Sequence, residues 1–393
     1  MSELYTLPDG WEWKKLDELT EVNLGKTPTR SKSEYFLGDK VWLSIRDLKD
    51  DYVSDSNEKL TDEAIISSNI KIVPKGTLLM SFKLTLGKTA FANCDLYTNE
   101  AIASLPIKDK SILDKYFLKY SIGVIDLEKE VDNAVKGKTL NKEKMKNLDI
   151  PLPPLEEQKR IVAKLDNLFA KIDKATALHQ KNIDEANVFM ASVLNDVFVE
   201  LEEKYEKKQL NEIVIFGGKN ISTLEYPNLI YFSLEDVEAQ TGRILNYKTV
   251  NEAGVKGTAV RFDENVVLYS KLRPYLNKVI VPNLEGCSTT ELVVLKPKDK
   301  LDKYFLASYL RSSNIVNFLN NDSMGAKMPR TNMKTFRNLE ISFPPYETQQ
   351  KVVSYLDEIS QKMEKIKQIQ KEKMQSLKAL KASILDQAFR GEL

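Results

Sequence analysis

A rhythm of apolar positions dominates the chain. From Glu156 to Phe198 there is no Pro or Gly, and Ile161, Leu165, Leu168, Ile172 and Ala175 recur at alternating steps of four and three. That spacing is a heptad seam and predicts a long helix whose apolar stripe needs a partner. At ~1.5 Å per residue the rod spans roughly 65 Å. A second stretch repeats the rhythm through Val352, Leu356, Ile359, Met363 and Ile366, resuming at Leu377, Leu380 and Ile384. Elsewhere the period shortens. The runs "VWLSI", "TLLMSF", "IYFSL" and "ENVVLYS" lie among turn-rich loops and read as strands, with a helix expected at "ILDKYFLKYSIG" and its copy.

The two seams belong to a larger repeat. "PPLEEQKRIVAKLD" from Pro153 matches "PPYETQQKVVSYLD" from Pro344 at 7 of 14 positions, an offset of 191 residues. The pairs "ASVLNDVF" with "ASILDQAF" and "NLDI" with "NLEI" keep that offset, while "KKLDEL" with "KQLNEI", "VWLSIRDL" with "IYFSLEDV" and "LDKYFLKY" with "LDKYFLAS" drift around it, as insertions in surface loops would produce. The chain therefore reads as a tandem duplication of α+β class. Two β-rich α+β domains, residues 1–150 and 204–342, are each followed by a helical segment, residues 151–203 and 343–393.

Two like halves tend to associate about a pseudo-two-fold axis, and a two-fold normal to both helices makes them antiparallel. An antiparallel coiled coil is thus expected. Polar residues interrupt both seams at corresponding places, His179 and Asn182 in the first, Gln370 and Lys373 in the second. Buried polar positions fix register at a cost in stability, and that is the role assigned to these four. His179, the single histidine, has no second base nearby and is a poor catalytic residue.

Composition narrows the picture little. A net charge of +1, from 58 basic and 57 acidic residues, argues against an unspecific polycation but leaves room for a local basic face. Cys94 and Cys287 lack the spacing of a zinc site or a disulfide framework, which suits a reducing cytoplasm. No apolar run approaches 18 residues and "MSELYTLPDGWEWKK" has no signal-like core, so neither export nor a membrane span is expected.

Several motifs tempt and fail. The triplets Gly25-Lys26-Thr27, Gly87-Lys88-Thr89 and Gly137-Lys138-Thr139 have Thr20, Phe82 and Asp132 where a P-loop needs its first glycine. They remain either turns with solvated lysines or loops that meet phosphate. "FPPY" at Phe343 resembles the amine-gripping loop of DNA amino-methyltransferases, but Phe343 stands where that loop needs Asn or Asp, and the first copy reads "LPPL". Both read as stiff Pro-Pro lead-ins to a helix, with "EEQ" and "ETQ" favouring the helix dipole and Tyr346 as a packing residue. No metal cluster, nucleophile–base pair or nuclease constellation is evident, so catalysis is not expected of this chain.

What recurs instead is basic loops at matching places. The first domain offers Lys26, Thr27, Thr29 and Arg30, then Lys83 and Lys88, then Lys136 and Lys138. The second offers Lys219 and Asn220, then Lys271, Arg273 and Tyr275, then Lys327 and Arg330. Cations mixed with hydroxyls and amides suit phosphates and base edges. Two such domains about a dyad suit half-sites one helical turn apart, roughly 34 Å. Arg30 and Arg273 are the expected guanine readers, since a guanidinium can bond O6 and N7 together.

From "LPDGWEWKKLDEL" and "GKTPTR" through "IPLPPLEEQKRIVAKLD" to "ASILDQAFRGEL", the sequence resembles the specificity subunit of type I restriction-modification systems over its whole length. The resemblance implies two target recognition domains, each reading half of a split asymmetric sequence in double-stranded DNA, and two spacer helices packed antiparallel as a ruler. It implies that the residues just named form the DNA face and that no cofactor binds this chain. Catalysis would belong to partners: two methyltransferase subunits using S-adenosylmethionine, docked on the helices and domain flanks, and restriction subunits using ATP and Mg²⁺. A single-chain adenine methyltransferase and a coiled-coil scaffold that reads no DNA are the alternatives. "AKMPRTNMK" departs from its counterpart "KGKTLNKEK".

Overall fold

The computed structural model describes residues 5–127, 132–134, 137–325 and 327–393. The chain folds as two compact units, Met1–Ala177 with Met374–Leu393, and Leu178–Lys373. Each contains one β-rich domain with parts of both long helices, Leu155–Lys204 and Tyr346–Phe389.

In the first unit a five-stranded sheet runs in the order Asn23–Leu24, Ile102–Leu105, Leu78–Ser81, Thr89–Ala92, Tyr52–Val53. Its neighbours are antiparallel except the last pair, which is parallel. The central strand Leu78–Ser81 is buried along its length because both faces are covered. Leu78 and Met80 join one core with Phe117 and Ile161, and Leu79 joins another with Leu43 and Ile102, the period-two alternation of a strand. A three-stranded sheet, Glu58–Leu60, Lys40–Leu43 and Tyr97–Thr98, packs around Trp42.

The second unit repeats the scheme. Its central strand Val267–Ser270 sends Val267 and Tyr269 into one core and Leu268 into another. It lies in a four-stranded antiparallel sheet, Val214–Phe216, Leu292–Pro297, Val267–Ser270, Val279–Ile280.

The helices run antiparallel within each unit, as expected. In the first, Asp173 meets Lys381 while Arg160 reaches the Leu393 carbonyl. In the second, His179 meets Gln370 and Asn187 meets Lys367. The apolar stripe serves two purposes, however. Ile161, Leu165, Phe169 and Ile172 are buried in the same core as Phe117 and Phe389, and Phe198 and Leu356 join Phe305 in the other unit. Ile366 and Leu380, expected in the seam, are 38% and 48% exposed. A straight α-helix drifts ~20° per heptad against a 3.5-residue repeat, so a strict seam does not hold one face along so long a rod.

Each helix starts on a glutamine latch. Gln158 is fully buried: its Oε1 accepts from the Asp114 N–H at 2.8 Å, and its Nε2 donates to the carbonyls of Ile112 and Pro153 at 2.7 and 2.8 Å. Gln349 repeats this with Asp302, Lys300 and Pro344. These glutamines therefore hold helix to domain instead of merely complementing the dipole. Tyr346, expected to pack, is 43% exposed.

Candidate nucleic-acid interface

The basic segments that are scattered in sequence converge at the end of each central strand. In the first unit the chain leaves Leu78–Ser81 into a tight loop closed by hydrogen bonds from Ser81 N–H to the Lys88 carbonyl and from Gly87 N–H to the Ser81 carbonyl, both 2.9 Å. Phe82 N–H donates to the Ala101 carbonyl and Leu140 N–H to the Phe82 carbonyl, each at 3.0 Å. Lys26 N–H donates to the Thr98 carbonyl. Loops near residues 26, 83, 100 and 140 thus share one rim.

The second unit builds the same corner from equivalent bonds. Ser270 N–H donates to the Lys278 carbonyl, Lys271 N–H to the Glu291 carbonyl, and Thr331 N–H to the Lys271 carbonyl, at 3.0, 3.1 and 2.8 Å. Arg273 N–H adds a bond to the Pro329 carbonyl at 2.7 Å. The turning residue is left-handed in both, Leu84 at φ +62° and Arg273 at φ +52°. For a residue with a Cβ that conformation costs roughly 1–2 kcal/mol, so the surrounding bonds hold it against a local preference.

The side chains differ in how free they are. The Arg30 guanidinium donates to both Glu58 oxygens at 2.5 and 3.0 Å and lies over Phe36 and Trp42, 4.4 and 5.2 Å from their centroids. Glu58 is held below the usual carboxylate range, chiefly by its hydrogen bond from Arg30. Trp42 Nε1–H donates to the Lys26 carbonyl and pins the loop, and the Thr27 hydroxyl donates to Glu100. Lys26 and Thr29 are exposed, and Lys83 and Lys88 half-buried. Lys136 lies outside the described residues, and Lys138 belongs to the short strand Gly137–Thr139.

In the second unit Arg330 pairs with Glu291 at 3.4 Å, Lys327 is exposed, Lys271 is half-buried and Tyr275 is 44% exposed. Arg273 is different. Its Nε is buried with no hydrogen-bond partner, and among the described residues no carboxylate neutralises it. Glu291 leaves its Oε2 buried and unbonded in the same corner. Lys219 and Asn220 are exposed on the edge strand Lys219–Ser222, paired to Thr258–Phe262, and among the described residues no hydrogen bond ties them to the corner. The pattern of cations in the sequence does not point to Leu84, Glu100 or Glu291. The two carboxylates were legible as acids within "TNEA" and "TTEL" beside the basic loops.

On the helices, His179 Nδ1–H donates to Gln370 Oε1 at 2.5 Å, and Asn182 Nδ2 reaches the same oxygen at 3.4 Å. Lys373 stands exposed. Among the described residues no cluster of three or more His, Cys, Asp or Glu could hold a metal, and no helix is long and apolar enough to cross a membrane.

The family model for the type I restriction modification DNA specificity domain matches residues 8–185 and again 202–373. The chain belongs to this family. Two specificity domains in tandem make it a DNA-recognition subunit and not the catalytic one. The chain is similar to the type I restriction enzyme EcoDI specificity subunit of Escherichia coli, 24% identical over 301 residues, covering 67% of each protein. It is also similar to the MjaIX specificity subunit of Methanocaldococcus jannaschii, 25% identical over 425 residues, covering 100% of this chain and 95% of that one. Among solved structures, a chain described in work on complex assembly and conformational transition of the type I R-M system superposes with a TM-score of 0.74 at 23% identity, covering 99% of this chain and 100% of the other. The HsdS subunit from Thermoanaerobacter tengcongensis gives 0.55 at 24%, covering 100% and 99%. Both share the specificity-subunit fold.

Proposed function

We propose that the first recognition domain, residues 1–150, reads one half of a bipartite asymmetric DNA target and the second, residues 204–342, reads the other. The spacer helices, residues 151–203 and 343–393, set the gap between the halves and dock two methyltransferase subunits. The observation that carries this reading is the duplicated corner: one backbone frame, built twice, gathers cations from segments far apart in sequence and in the second copy presents Arg273 without a neutralising carboxylate among the described residues. A guanidinium in that state suits O6 and N7 of guanine. Arg30 is the weaker reader because Glu58 already occupies its fork.

Exposed apolar side chains on the helices, Val188 at 71%, Phe189 at 50% and Tyr355 at 49%, support a protein partner there. The chemistry would lie in the partners, with S-adenosylmethionine on the methyltransferase subunits and ATP with Mg²⁺ on restriction subunits, in the cytoplasm. His179, Asn182 and Gln370 would fix helix register. Mapping N6-methyladenine in the host genome with and without this gene tests the proposal: a bipartite motif that vanishes on deletion is expected, and an unchanged methylation pattern overturns it. In the reconstituted complex, Arg273→Ala should weaken binding about 10- to 100-fold, the worth of a bidentate base contact. The loss should be confined to the second half-site, and equal loss at both halves would contradict the assignment.

A further inference from the structure

We propose that Leu84 is a specificity-determining residue that reads the 5-methyl group of a thymine in the half-site bound by the first domain. The inference rests on the DNA-recognition reading above and adds to it a residue and a chemical group. Leu84 occupies in the first unit the position that Arg273 occupies in the second. Each is the third residue after the strand-ending serine, Ser81 or Ser270, and each comes two residues after one, Phe82 or Lys271, whose N–H bonds the carbonyl just before the neighbouring strand, Ala101 or Glu291. Both are left-handed without being glycine. Two corners of one design therefore carry one cation and one apolar side chain.

The apolar one is not used for packing. Leu84 is 73% exposed, at the rim of an open groove that it lines with Leu86, Ile122, Ile125 and Leu127, beside Lys83, Thr85 and Lys88. A leucine held in a disfavoured backbone conformation and left mostly in water contributes little to the fold. Glycine would suit the backbone better and a polar residue would suit the solvent. The loop is also stiff: the Ser81 hydroxyl donates to the Thr85 carbonyl at 2.5 Å and accepts from Lys88 N–H at 3.0 Å, so the side chain is displayed from a fixed frame. Among base edges in the major groove the apolar feature is the thymine methyl, and aliphatic contact is how proteins recognise it. The flanking lysines supply phosphate contacts that bring the corner to the groove.

The test is a chemical double-mutant cycle on the full methyltransferase complex with duplexes carrying the bipartite target. Each thymine of the first half-site is replaced singly by uracil, which removes the methyl and keeps the pairing. For the wild type, one replacement should weaken binding about fourfold, the worth of one buried methyl-sized group. Leu84→Ala should bind the thymine duplex as weakly as the wild type binds the uracil one, with no further loss on the replacement. Leu84→Gly relieves the left-handed backbone, so it should melt no lower than the wild type and share the same indifference to the methyl. Unchanged thymine-to-uracil ratios in both variants overturn the inference, as does a wild type indifferent to every methyl of that half-site. Weakened complex assembly with the ratio intact would show that Leu84 packs on a protein partner, and also overturns it. Absence of any bipartite motif in the methylated genome defeats the functional reading itself; failure on a confirmed target defeats the Leu84 assignment alone.

Discussion

Glu58 and Arg30 show how a residue that looks like a ligand contact becomes part of the scaffold. Arg30 is legible as chemistry in "GKTPTR", but its partner Glu58 lies 28 residues on, and folding brings the two together against Phe36 and Trp42. Because the folded Glu58 carboxyl sits below its ordinary range, the pair's contribution is present at neutral pH and is lost as pH falls through the depressed value. With both side chains about half exposed, the contribution is small, ~0–1 kcal/mol. Thermal melting of wild type and Glu58→Gln should accordingly differ slightly at about pH 7 and converge once the pH falls below the depressed Glu58 range. Cys287 offers a sharper measurement. Burial pushes its thiol up to about 11, against a lowering influence from Arg261. A thiol reagent at neutral pH should leave Cys287 unmodified in the native protein and react once denaturant is added, with mass spectrometry as the readout. Rapid native labelling would mean that its strand, Gly286–Ser288, parts from its neighbours Ile230–Phe232 and Thr258–Phe262.

The duplicated glutamine latch is the element whose role the sequence pattern conceals. Gln158 and Gln349 both look like polar first-turn residues, and helical periodicity assigns them no face. Each is in fact buried with three hydrogen bonds to its domain's backbone. Gln349→Leu leaves the Asp302 N–H and two carbonyls without partners, and should cost ~1–3 kcal/mol per orphaned group that water cannot reach. Denaturant unfolding should show that loss in the second unit. Gln158→Leu should produce the matching loss in the first, and an unaffected midpoint in both variants would refute the latch. The heptad pattern was the strongest element-scale signal in the sequence, and it located both helices. It overstated their mutual seam because an apolar position shows only that a side chain needs cover, and much of that cover comes from the domain cores.

For the whole molecule, the near-zero net charge hides a local basic rim, and salt is the probe that separates the two. If Lys83 contacts phosphate, Lys83→Ala should lower the slope of log affinity against log salt by about 0.9, and do so regardless of the bases in the target. A slope unchanged by that substitution would remove Lys83 from the interface. The repeat, the α+β class, the two helices and their antiparallel run followed from sequence alone, because periodicity and self-similarity are local properties that survive without contacts. Which cations are free and which are neutralised did not follow. Arg30, Arg273 and Arg330 are alike in sequence, yet one is clamped by Glu58, one pairs with Glu291 and Arg273 has no such partner among the described residues. Pairing distances and backbone handedness depend on segments that meet only after the chain has folded, so the corner that sets Leu84 and Arg273 in equivalent places belongs to the tertiary structure.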